Sequence, residues 1–211
     1  MRTRISAIIV TGAAAALAIG LSATSSSATT AKTWTITPGG ASTAKSGKIT
    51  LTDTTTGNAG TCKSSRLSGT VKSGSWLSGN GIGSVTSGAF RTCTGPERVA
   101  FTVTPRDLPW QLNFTSYDPS TGVTTGTISH IKVVVSGHPC SAVVNGASGT
   151  GSDGVVTATY TNSTAKLKIL PTGGNLHFWD VSGCSGLLNS GDPATFSGAY
   201  TITPRQVITS P

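Results

Sequence analysis

The sequence predicts an all-β protein, an antiparallel β-barrel or β-sandwich held by two disulfides. Three observations carry that expectation. Apolar and polar residues alternate with a period of two, turn residues punctuate the alternating runs, and four cysteines stand behind an N-terminal export signal.

The export signal comes first. Arg2 and Arg4 form a positive start, Ile5 to Leu21 is an uncharged and largely apolar run, and small residues follow. This is the layout of a secretory signal peptide, which takes no part in the fold. Ser26 and Ala28 supply the small residues required for cleavage after Ala28, and Ala31 offers an alternative site. The absence of a twin-arginine pair, and of a cysteine near the cleavage region, argues for general secretion rather than Tat or lipid-anchored export. The expected organisation is a signal peptide over residues 1–28 and one secreted domain over 29–211. No later segment is apolar enough to span a bilayer as a helix.

The strands follow. "GKITLTD" puts Ile49 and Leu51 on one face, and "RVAFTVTP" groups Val99, Phe101 and Val103. "GVVTATYTN" alternates Val156, Ala158 and Tyr160 against Thr157, Thr159 and Thr161. "AKLKIL" sets Ala165, Leu167 and Ile169 against Lys166 and Lys168. A residue pair two apart shares a sheet face, so each run reads as a half-buried strand. Turns are expected at Thr56-Gly57-Asn58, Gly79-Asn80-Gly81, Asp118-Pro119, Thr161-Asn162-Ser163 and Gly173-Gly174-Asn175. This spacing gives roughly ten to thirteen strands. "GCSGLLNSGD" has room for one short helical turn.

A pentapeptide recurs. "WTITP" occupies 34–38, "FTVTP" 101–105 and "YTITP" 200–204. In each, the aromatic and β-branched residues face inward, the threonines face outward, and proline ends the strand because it has no N–H to donate. Cys62 and Cys93 precede the second copy, and Cys140 and Cys184 precede the third. The arrangement suggests two related halves, 29–105 and 106–211. Four cysteines allow three pairings; the two-half organisation favours Cys62–Cys93 and Cys140–Cys184.

Lys and Arg number 15 against 7 Asp and Glu, or 13 against 7 without Arg2 and Arg4. The basic residues are scattered singly, without the run that marks a nucleic-acid arm. The expected partners are anionic cell-wall polymers or membrane surfaces, with no nucleic acid.

Several chemistries find little support. Zinc requires clustered ligands, and His138-Pro139-Cys140 is the nearest approach. No D-x-D-x-D run exists for calcium. His138, Asp153 and Ser185 occur in a protease-like order, but Ser185 follows a cysteine assigned to a disulfide and lacks the Gly-Asp-Ser-Gly setting. The acids are few, and Asp53, Asp118, Asp153 and Asp192 sit in turns. No catalytic residue, metal or cofactor is expected. Three aromatic residues are candidates for ligand contact. Trp110 opens the alternating run "WQLNF", and His177 and Trp179 share one face of "HFWD".

The segments "LTDTTTGNAGTC", "LPWQLNFTSYD", "GTISHIKVVVSGHPC" and "VSGCSGLLNSGDPATFSGAYTITP" resemble a group of secreted β-proteins of high-GC Gram-positive, actinobacterial type with no assigned activity. The resemblance implies export and an all-β fold, and no reaction. The functional expectation is a non-enzymatic secreted protein that binds envelope or extracellular polymer or lipid. The alternatives are an extracellular hydrolase with dispersed catalytic residues and a carrier of small apolar ligands.

Overall fold

Alternation builds the structure, a computed structural model that describes residues 32–211. The expected signal peptide, residues 1–28, lies outside the described residues. In chain order the first strands are β1 (Thr33–Thr37), β2 (Gly40–Ser46), β3 (Ile49–Asp53), β4 (Ala59–Val71), β5 (Gly74–Ser78) and β6 (Gly83–Thr94). A single 3-10 turn, Pro96–Arg98, leads to β7 (Ala100–Arg106), β8 (Trp110–Asp118) and the long β9 (Val123–Gly137). Then follow β10 (Ser141–Asn145), β11 (Gly154–Thr161), β12 (Lys166–Ile169), β13 (His177–Ser182), β14 (Ala194–Thr203) and β15 (Val207–Thr209).

Twelve of these strands make one antiparallel sheet that closes on itself. The ring runs β9–β11–β12–β14–β2–β4–β6–β7 and returns to β9. β3 shares the position of β2, pairing with β14 and β4, and β8 shares that of β7, pairing with β6 and β9. The result is an eight-stranded barrel, which resolves the choice between barrel and sandwich. β10 and β13 extend the sheet outward from the last third of β9. Barrels of this size have an interior just wide enough for side chains or one small ligand.

The alternation delivers its side chains as expected. Val156, Ala158 and Tyr160 are buried along β11, while Thr157, Thr159 and Thr161 sit at intermediate exposure on its other face. Ala165 and Ile169 are buried against exposed Lys166 and Lys168. The main core fills the barrel with Ile49, Leu67, Val85, Trp110, Ile128, Val156 and Tyr200, among others.

The two barrel ends are built differently. At one end a small sheet, β15–β1–β5, lies over Trp34, Ile36, Ile82, Tyr160 and Ile208. Trp34 is 1% exposed and meets Phe114 edge-on with centroids 5.1 Å apart. Polar groups tie this end down. The Tyr160 hydroxyl donates to the Gln206 carbonyl, the Gln206 amide donates to Tyr160 Oη, and Gln206 Oε1 accepts from the Gly39 amide. At the other end lie both disulfides. Cys62 and Cys93 face each other across the β4–β6 ladder, and Cys93 in turn pairs with Phe101 of β7. Phe101 pairs with Gly137 at the end of β9, whose amide donates to the Cys140 carbonyl. Cys140 is bridged to Cys184. The disulfides join the expected partners and close loops worth about 3.5 to 4 kcal/mol each in the chain-entropy account.

Three local expectations change. There are fifteen strands among the described residues, more than expected, because Ser-, Gly- and Lys-rich segments such as "GASTAKS" pair without an apolar face. Pro105 does not end its strand: β7 continues to Arg106, whereas β1 and β14 do end before Pro38 and Pro204. "GCSGLLNSGD" forms turns rather than helix, and Val99 stands exposed in the connection before β7.

Candidate functional site

Beside the Cys140–Cys184 bridge, the cysteine end opens into a cleft of about 330 Å³. One wall comes from the β3–β4 connection, with Leu51, Asn58 and Gly60, and another from Pro96 and Val99 beside the 3-10 turn. Phe101 and Val135 stand on the paired strands β7 and β9. Phe178 of β13 contributes its ring, and the last wall is the loop after Cys184, with Leu187 and Leu188. None of the described residues lining the cleft is acidic, basic or histidine. Such a cleft offers dispersion contacts and the burial of apolar surface, worth about 25 cal/mol per Å².

Local sequence explains the walls. Phe178 is 2% exposed because the odd residues of "HFWDV" face outward and its own ring faces the sheet interior. The loop from Cys184 to Asp192 is held at several points. The Leu187 amide donates to the Cys184 carbonyl, and Gly191 donates to the Phe178 carbonyl. Thr56 Oγ1 and Asn58 Nδ2 both donate to the Leu187 carbonyl, joining the two walls across the cleft rim. Gly183 is obligatory: its φ is +68°, and a Cβ there would stand 2.3 Å from the Pro139 carbonyl oxygen. The Cys140–Cys184 bridge is therefore both a staple and part of the cleft wall.

The carboxylates near the rim serve the loops. Asp192 Oδ2 accepts from the backbone amide and side-chain Nδ2 of Asn189, and these bonds hold its pKa below the ordinary value. Asp53 Oδ1 accepts from the amides of Thr55 and Thr56. Asp153 accepts from the amides of Gly146 and Ser148, with Ser148 the main cause of its lowered pKa. Ser185 sits exposed on the rim with φ +49°.

The three aromatic candidates separate. Trp110 is 4% exposed inside the barrel, and its indole N–H donates to the Arg106 carbonyl. It lines a second apolar cavity of about 80 Å³ with Ile49, Leu67, Val133, Ile169 and Tyr200. His177 and Trp179 stack on the outer face of β13, ring centroids 6.3 Å apart. The Trp179 N–H donates to the Gly146 carbonyl, and its ring covers Gly149. These two side chains lie outside the cleft that Phe178, between them, helps to line. The cleft's own residues were not singled out by sequence reasoning. Its one visible signal is Leu187-Leu188, an apolar pair in a loop otherwise made of Gly, Ser and Asn.

Comparisons with curated proteins and with solved structures returned no match. A family model described as "alkane oxidation protein activator PraA/PraB-like" matches residues 3–210, nearly the whole chain. The chain belongs to the PraA/PraB-like family.

Proposed function

We propose that this protein is an exported, non-catalytic accessory protein that binds a saturated hydrocarbon chain in the cleft at its cysteine end. The single observation behind the reading is the lining: Leu51, Val99, Phe101, Val135, Phe178, Leu187 and Leu188 surround a cleft without a charged wall residue among those described. An apolar cavity of about 150 Å³ admits benzene, so 330 Å³ corresponds to roughly a dozen carbons. The family description, an activator of alkane oxidation, fits a role in presenting an apolar substrate to a separate oxidising enzyme. Two disulfides fit an extracellular protein. Among the alternatives raised by the sequence, the apolar-ligand carrier gains most from this geometry.

The test is uptake of n-decane vapour by the purified protein, read by headspace gas chromatography. The reading expects saturable uptake near one molecule per chain, reduced at least tenfold by Leu188→Asp with the fold intact. Uptake no greater than that of an unrelated disulfide-bonded β-protein of equal mass disposes of it.

A further inference from the structure

We infer that Phe101 is a gate between the outer cleft and the apolar cavity inside the barrel, and that the inner cavity receives the far end of a long alkyl chain. The inference rests on the proposed hydrocarbon-binding reading and adds a second compartment to it.

Three residues, Leu51, Gly60 and Phe101, line both spaces. Of these, Phe101 has the large side chain that stands at the boundary. Its ring lies against bare backbone: a Cβ on Gly60 would come within 2.8 Å of Phe101 Cζ. Gly95 flanks the ring and Gly137 flanks its Cβ, at 3.8 and 3.4 Å from the Cβ positions they lack. Glycine on these sides leaves few side chains to hold the ring in one rotamer. Phe101 is only half-buried, and its strand pairs with β6 through just two registered residues, Cys93↔Phe101 and Thr94↔Ala100. The surroundings thus favour an aromatic side chain that swings while its backbone stays fixed by the neighbouring disulfide.

The space behind it suits a hydrocarbon. Its two polar-tipped wall residues have partners already, the Trp110 N–H on the Arg106 carbonyl and the Tyr200 hydroxyl on Ser65 Oγ. With no free polar group to hold it, water gains little there, and apolar cavities of this kind stay dry. By the same benzene comparison, about 80 Å³ accommodates about three carbons. Chain length is then read by depth. Chains that fill the outer cleft bind without disturbing Trp110, and longer ones pass Phe101 and reach it. Each methylene buried in the inner cavity raises affinity about fourfold.

The experiment uses neutral ω-bromo-n-alkan-1-ols of six to sixteen carbons, whose terminal bromine quenches a nearby indole. Tryptophan emission is followed in a Trp76→Phe background, which removes the exposed tryptophan, with Trp110→Phe as the control that identifies the quenched residue. Binding is measured in parallel by displacement of neutral 1-aminoanthracene. The expected result is binding at all but the shortest lengths, and Trp110 quenching only above a threshold length. Phe101→Ala lowers that threshold by several carbons, and Phe101→Leu, which retains an apolar side chain, lowers it less. Displacement without Trp110 quenching at any length overturns the gate and leaves the hydrocarbon-binding reading standing. A threshold unchanged in both Phe101 variants also overturns it. Absence of displacement at every length overturns both.

Discussion

The two ends of the barrel solve the same problem in opposite ways. Each must finish a tube of strands whose interior is apolar. The Trp34 end is plugged: a three-stranded sheet lies over it, an indole fills the gap, and Gln206, Tyr160 and Asn162 bond the lid to the wall. Among the described residues the cysteine end has no such lid. Two disulfides and short loop bonds hold its walls apart around a cleft. Noncovalent packing serves where the core is continuous. Covalent links serve where the core is interrupted, because a cleft wall lacks packing neighbours on one side.

The sharpest way to separate the ends is Trp34→Ala. It removes a fully buried indole from the plug and is expected to cost about 3 to 5 kcal/mol of unfolding free energy, measured in urea. Alkyl binding by the remaining folded protein should not change. Joint loss of both would show that the ends are coupled. Replacing Cys140 and Cys184 together by alanine comes next, at about 4 kcal/mol. Here binding should weaken as well, because the Leu187-Leu188 wall loses its anchor. Retained affinity would reduce the bridge to a staple alone. Gln206→Ala follows, at about 1 to 3 kcal/mol, since it leaves the buried Gly39 amide without its acceptor. Its effect belongs to the plugged end, and thermal unfolding with and without ligand tests that.

The smallest effect is one of pH, and it divides the ends by sign. Asn189 holds the Asp192 pKa below its ordinary value near 4. A carboxylate with a depressed folded pKa stabilises above its unfolded value, and that contribution disappears as pH falls through the folded value. The cleft loop should therefore loosen below about pH 4. Tyr160 and Tyr200 have raised pKa values, chiefly because burial disfavours the phenolate. Their contribution is complete below about pH 10 and is lost as pH rises through the folded values. Alkali should therefore loosen the plug through Tyr160, with Tyr200 acting on the barrel core instead. Asp118, near the plug, also titrates low, but it bonds only within its own turn, to Ser120 and Thr121. Amide shifts of Leu187 and Asn189 in acid, against the Trp34 indole signal in alkali, make the comparison. Simultaneous movement of both sets at either extreme would erase the distinction.

Much of the plugged barrel was legible in the sequence, and little of the cleft was. Tyr160 and Ile169 announce their burial because their neighbours Thr159 and Lys168 are polar, and alternation survives in one strand read alone. The pairing Cys140–Cys184 followed from the placement of the cysteines before the repeated pentapeptide. The strand "AGTCKSSRLSGTV" was hidden because small and polar residues dominate both of its faces, with Leu67 and Val71 its only large apolar side chains. The cleft was hidden for another reason. Its walls come from five separate chain segments, and glycine backbone matters there as much as side chains do. Gly60 and Gly183 act through the atoms they lack, which no hydrophobic pattern records. Trp110, His177 and Trp179 stood out as large aromatics, yet the two indole N–H groups have backbone partners and none of the three reaches the outer cleft.

Ring closure has a consequence for how the molecule comes into being. β14 pairs with β2 and β3, and β15 pairs with β1, so the seam of the barrel joins the first strands to the last. A chain emerging N-terminus first cannot close the eight-stranded ring until β14, Ala194–Thr203, has followed. Contacts so distant in sequence form slowly, commonly over milliseconds to seconds. Until then β1, β2 and β3 wait with open edges. A protein of this topology is best delivered whole before it folds, and loss of even its last short strand strips one edge from the sheet that closes the tube.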